Sequence, residues 1–223
     1  MKTRAAVLWG LEQKWEVEEV ELDPPGPGEV LVRLAATGLC HSDEHLVTGD
    51  LPIPLPVVGG HEGAGTVVEC GEGVEELSEG DSVILTFLPS CGRCSYCARG
   101  MGNLCELGAA LMMGPQIDGT YRFHARGEDV GQMCLLGTFS EYTVVPQASV
   151  VKIDGVVKTG ENRHKTLNIN NWSQQTGEIT DWVGSPGVYL SSKQEKVESA
   201  IFKELSNANE QKSLYPKNQA LQN

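Results

Sequence analysis

No apolar stretch in this 223-residue chain approaches the run of about 20 residues that a membrane-spanning helix needs. Basic side chains are also scarce. Seventeen Lys and Arg face 30 Asp and Glu, giving a net charge of −13. Such a surface repels phosphate backbones and anionic lipids, so neither nucleic acid nor a membrane is expected as a partner. Aromatic residues are only 6% of the chain, so aliphatic side chains must fill most of its core. The first ten residues carry Lys2 and Arg4 but too short an apolar segment for a signal peptide, and no cleavage site follows. A cytoplasmic location is therefore expected. No cysteine occurs after Cys134, and the total of seven is odd. In a reducing compartment, clustered thiols read as metal ligands rather than disulfides. Cys70 and Cys134 stand alone and read as small buried hydrophobes.

The chain changes character near Asp154. Residues 1–154 hold all seven Cys, one Asn and four Gln, whereas residues 155–223 hold no Cys, eight Asn and six Gln. Acidic residues divide 23 to 7 and basic residues 9 to 8, so the first part carries −14 and the second +1. Such a shift marks a boundary. The second part is expected to be a polar second domain or a partly disordered tail, or else a non-homologous segment joined by fusion, frameshift or assembly error. Val197, Ala200, Ile201, Leu205 and Ala208 recur at helical spacing, which predicts an amphipathic helix over residues 192–210.

The first part is expected to be mainly β. Residues 30–34, 65–69, 82–87 and 139–145 are rich in β-branched and aromatic side chains. Gly- and Pro-rich turns separate them, among them Pro24-Pro25-Gly26-Pro27-Gly28 and Gly59-Gly60. Many short strands with such punctuation suggest a small, partly open β-barrel. A short helix is expected over residues 42–47, starting near His41 or Ser42.

Four thiols, Cys91, Cys94, Cys97 and Cys105, fall within fifteen residues as C-x2-C-x2-C-x7-C. Four sulfurs in one short loop match the tetrahedral cage of a structural Zn²⁺, and Gly92 helps the loop wrap. This zinc lobe is expected over residues 85–110. An iron–sulfur cluster is the rival, since bacterial ferredoxins share C-x2-C-x2-C. Their fourth Cys, however, follows after three residues and precedes Pro, whereas here it follows after seven and precedes Glu106. Upstream lie Gly38-Leu39-Cys40-His41-Ser42-Asp43-Glu44-His45 and Gly59-Gly60-His61-Glu62-Gly63-Ala64-Gly65. Each is a weak signal alone, because a buried Cys or a hydrogen-bonded His is commonly structural.

Taken together, these motifs resemble the zinc-dependent alcohol dehydrogenases of the medium-chain dehydrogenase/reductase superfamily. The resemblance covers about residues 1–154 and extends to Asp118-Gly119-Thr120-Tyr121-Arg122-Phe123 and Gly137-Thr138-Phe139-Ser140-Glu141-Tyr142-Thr143-Val144-Val145. The opening and residues 121–131 look most like the nicotinoprotein branch, which uses a nitroso dye as artificial acceptor. The resemblance implies a GroES-like catalytic domain that oxidises a small alcohol to an aldehyde with zinc and NAD. The family is itself a reference case for a Cys₂His catalytic zinc. By resemblance, Cys40 and His61 match two of the three zinc ligands. Asp43 looks like the carboxylate that orients His61, and Glu62 like the acidic neighbour of the metal. Ser42 and His45 match a proton relay, His41 a contact to the cofactor pyrophosphate, and Phe87 a wall of the substrate pocket.

Two of the family's parts are missing from the sequence. The third ligand, a Cys in a Gly-Cys-Gly-type turn, is expected just beyond Asp154, and no Cys occurs there. No G-x-G-x-x-G follows either, so a Rossmann domain is expected to be absent. His164 is a poor substitute for the third ligand. The chain alone is therefore expected to be inactive. The alternative function is a non-catalytic, zinc-stapled barrel module. The sequence identifies neither the alcohol nor the oligomeric state.

Overall fold

The computed structural model describes residues 1–153. The tail boundary at Asp154, the expected helix over residues 192–210 and His164 lie outside the described residues.

Among the described residues the fold is mainly β, with two sheets and one α-helix. In the first sheet, β1 (Lys2–Leu8) pairs antiparallel with β2 (Glu16–Leu22). The sheet continues through β7 (Phe123–Ala125) and β8 (Glu128–Gln132). The short β4 (Val57–Val58) pairs with both β8 and β1 and closes the ring. The second sheet stays open, in the order β10 (Val150–Lys152), β6 (Ser82–Leu85), β5 (Gly63–Cys70), β3 (Glu29–Thr37), β9 (Tyr142–Pro146). A bridge between Ala5 and Ser140 ties the two sheets together.

The period-two geometry of a strand explains how β3 serves two cores. Successive side chains point to opposite faces. Leu31 therefore joins Val7, Val20, Leu22, Val58, Phe123 and Val144 in one buried cluster. Its neighbours Val30 and Val32 join Val67, Val83, Leu85 and Val145 in the other. β2 shows the one-sided version of the same rule. Val20 and Leu22 face the core, and Glu19 and Glu21 face outward. Basic groups answer this acidic edge: Lys2 meets Glu19 at 2.6 Å, and Arg126 meets Glu16 at 2.6 Å and Glu18 at 2.9 Å.

One buried ion pair fixes the start of β3. Arg122 donates from Nε to Glu29 Oε2 at 2.8 Å and from Nη2 to Glu29 Oε1 at 3.0 Å. Nη2 also reaches Asp118 Oδ2 at 2.7 Å, and the Gly26 amide donates to Glu29 Oε2 at 2.8 Å. Both charges are thus hydrogen-bonded, as burial demands.

The expected elements are present with shifted ends. β6 stops at Leu85, so Thr86 and Phe87 leave the strand and begin the loop lobe. β9 starts at Tyr142, because the segment before it is committed elsewhere: the Thr138 and Phe139 amides donate to Gly60 and Gly59 carbonyls at 3.0 and 2.9 Å. The helix α1 spans His41–Thr48, with Cys40 as its N-cap residue and Gly49 ending it at φ 83°. Cys134 is buried as expected, whereas Cys70 is only partly so.

Candidate metal centres

The loop between β6 and β7 gathers Cys91, Cys94, Cys97 and Cys105, whose four Sγ atoms all lie within 4.8 Å of one another. None of these thiols is in a disulfide. Backbone amides already point at the sulfurs. Cys94 N–H donates to Cys91 Sγ at 3.3 Å, Cys97 N–H to Cys94 Sγ at 3.4 Å and Cys91 N–H to Cys105 Sγ at 3.4 Å. These donors stabilise thiolates. The amides of Cys97 and Glu106 bring the Cys94 thiol down to about 6, and those of Arg93 and Cys94 lower Cys91. Burial pushes Cys105 up to about 11. Gly92, at φ 70°, takes the left-handed conformation that lets the chain turn between the first two thiols.

The second cluster is assembled from distant parts of the fold. Cys40 comes from the junction of β3 and α1, and His61 and Glu62 from the turn before β5. One ligand atom from each lies within 4.8 Å of the others. Buried Asp43 holds the two parts together. Its Oδ2 accepts the Cys40 N–H at 2.8 Å, its Oδ1 accepts the Gly60 N–H at 3.2 Å, and Oδ1 also lies 3.4 Å from His61 Nδ1. That last approach is a charge contact without hydrogen-bond alignment, and Nδ1 is buried with no hydrogen-bond partner. Gly60 adopts φ 85°, and a Cβ there would lie 2.5 Å from the Phe139 ring and from Thr138 Oγ1. Only glycine fits this turn.

The charges around His61 favour a positive charge at this cluster. The Cys40 thiol is held below its ordinary value chiefly by its hydrogen bond with His61, against burial. Burial disfavours the His61 cation, yet Asp43 and Cys40 outweigh it and raise the imidazole to about 10. Burial raises the Glu62 carboxyl, ahead of the opposing pull of His61. Three such groups share one small volume, and a divalent cation would satisfy them together.

A Glu62 carboxylate oxygen thus lies beside the two residues that the resemblance implies as ligands. Space for it comes from Gly38, whose added Cβ would stand 2.2 Å from Glu62 Oε2. Thr37 Oγ1 donates to the Glu62 carbonyl at 2.9 Å and meets Thr138 Oγ1 at 2.9 Å. Sequence reasoning missed Gly38, Thr37 and Thr138 as supports, because only their long-range contacts reveal them.

The other expected residues surround this cluster unevenly. Ser42 lies beside it, with the Cys40 thiol directed at Ser42 Oγ at 3.6 Å. The half-exposed Phe87 ring sits 6.0 Å from the His61 ring, nearly perpendicular to it. His45 and His41 pack on each other at 4.7 Å, with His41 exposed.

Comparison with known proteins bears on the family. A family model described as alcohol dehydrogenase GroES-like domain matches residues 26–155. Alcohol dehydrogenase B of Mycobacterium tuberculosis is 54% identical over 156 residues, which are 69% of this chain and 42% of that protein. The NDMA-dependent alcohol dehydrogenase of Amycolatopsis methanolica is 53% identical over 154 residues, again 69% of this chain and 42% of that protein. Among solved structures, the alcohol dehydrogenase zinc-binding domain protein from Burkholderia ambifaria superposes with a TM-score of 0.65 at 36% identity, covering 69% of this chain and 42% of that one. The chain thus spans about two fifths of the length of these curated relatives. On its fold, its two ligand clusters and these matches, the chain belongs to the alcohol dehydrogenase GroES-like domain family.

Proposed function

We propose that residues 1–154 are the catalytic domain of a zinc-dependent alcohol dehydrogenase that oxidises a small alcohol to an aldehyde with NAD. The observation that carries this reading is the convergence of Cys40, His61 and Glu62 within 4.8 Å. In this reading those three residues hold a catalytic zinc, and Cys91, Cys94, Cys97 and Cys105 hold a structural one. Zinc bound at the first site would supply a Lewis acid for the alcohol oxygen.

The protein's own residues then divide the work. Asp43 fixes the orientation of His61 and anchors the start of α1. Ser42 stands next to Cys40 and takes the alcohol proton, which His45 passes toward solvent. Phe87 packs beside His61 and presents an apolar wall to the substrate. His41 contributes a cofactor contact at the exposed start of the helix. NAD would accept the hydride.

The 223-residue chain carries no glycine fingerprint for a dinucleotide. That observation favours a second reading for the chain on its own: a zinc-stapled barrel without turnover, followed by a tail of different origin. Purified protein should contain zinc rather than iron, remain colourless, and oxidise no alcohol by itself. Zinc-dependent alcohol oxidation by the isolated chain would overturn the inactive reading. Iron with a visible charge-transfer band would overturn the zinc assignment.

A further inference from the structure

Helix α1 carries two imidazoles that belong to neither ligand cluster. His41 is its first residue and His45 lies one turn further on. Residues four apart share a helix face, and these two rings meet at 4.7 Å with planes 79° apart. Solvent reaches both, since His41 is exposed and His45 partly so. Two imidazoles one turn apart on a helix are a spacing from which divalent transition cations take two ligands. The run His41-Ser42-Asp43-Glu44-His45 also reads H-x-x-E-H, a helical zinc pattern with the carboxylate between the two ligands. Among the described residues, Glu44 does not complete a three-donor group with the two rings. The pair therefore offers two protein ligands and leaves the other positions to water.

We propose that His41 and His45 form a third metal site, an exposed two-imidazole chelate for a divalent transition cation of the Ni²⁺ or Zn²⁺ class. Two effects set its strength. The chain's net charge of −13 draws cations toward the protein. The positive end of the helix dipole opposes a cation in the first turn. With two ligands and no thiolate, this site fills after both cysteine-bearing clusters. A cation held there occupies both imidazoles at once, and so removes His45 as a proton carrier. That inhibitory consequence rests on the proposed function; the binding does not.

The test is an Ni²⁺ titration of the zinc-loaded full chain by calorimetry, alongside NMR of the histidine rings. One additional Ni²⁺ should bind per chain. Its affinity should fall at least tenfold in either His41→Asn or His45→Asn, and stay unchanged in His124→Asn and His164→Asn. In the unaltered protein, substoichiometric Ni²⁺ should broaden the His41 and His45 rings together, a readout that needs no variant to fold. Absence of Ni²⁺ binding, undiminished binding in His41→Asn, or broadening of one ring or neither would overturn the proposal.

Discussion

The two proposed ligand clusters differ in how the chain builds them. The four-Cys cage is local: fifteen consecutive residues carry every ligand, and the amides that meet its sulfurs come from the same loop. The Cys40–His61–Glu62 cluster is global. It exists only while β3 and α1 are held against the Gly60 turn, and while Thr138 and Phe139 hold that turn in place. A local chelate can form as soon as its loop meets metal, and its binding energy is then folding energy. A global one must wait for the barrel, so its occupancy reports tertiary structure.

The largest expected effect comes from breaking the local cage. Cys91→Ser or Cys105→Ser should unfold the loop lobe and lower the thermal midpoint by about 10 °C or more, because a structural zinc contributes directly to stability. Cys40→Ser should move it far less. Calorimetric scans of the three variants check this, and equal shifts would erase the distinction.

Gly60→Ala should do the reverse. Strain at φ 85° and the clash with Phe139 and Thr138 displace the turn that carries His61. The variant should lose metal from the global cluster while the cage keeps its own. Zinc analysis after gel filtration would show one metal retained, and full occupancy would refute the role assigned to this turn.

A subtler lesion is Asp43→Asn, which keeps size but removes the charge facing His61. Loss of such a supporting carboxylate typically costs about 10- to 100-fold in metal affinity. Chelator competition should show that loss at the global cluster and none at the cage. Unchanged affinity would mean that Asp43 serves only to cap α1.

The smallest effect lies outside both clusters and serves as a control. Burial lowers His124, but Asp129 at 2.9 Å and Asp23 at 3.1 Å outweigh it, so its pKa is raised. A raised folded-state pKa gives stability that is fully present below the unfolded value, near 6.5, and is lost as pH rises through the folded pKa. His124→Gln should therefore destabilise the protein at pH 5.5 and have less effect at pH 9. Denaturation midpoints at about these two pH values check the sign, and an effect that grows with pH would contradict it.

The same contrast explains what could be read in the sequence. The cage was legible because spacing alone encodes it. Strands β3, β5 and β6 were legible from β-branched runs, and α1 from the polar segment after Cys40. β2 escaped because four of its seven residues are Glu, so Val20 and Leu22 leave only a faint alternation. β4 escaped because two residues carry no pattern, yet they close the ring. At the global cluster, the sequence marked Cys40 and His61 only through resemblance. It hid the donor geometry of Glu62, which depends on empty space at Gly38 and a threonine pair from opposite ends of the domain. Contacts spanning about a hundred residues leave no periodicity to read.

Zinc release during unfolding tests the two-cluster account most directly. The full chain should hold two zinc ions tightly, one in each cysteine-bearing cluster. In rising urea with a chromogenic chelator, the ion at Cys40–His61–Glu62 should leave with barrel unfolding, and the cage should release its ion later. In Cys40→Ser the early step alone should vanish. Release of both ions in one step, or an early step that survives in Cys40→Ser, would contradict the account.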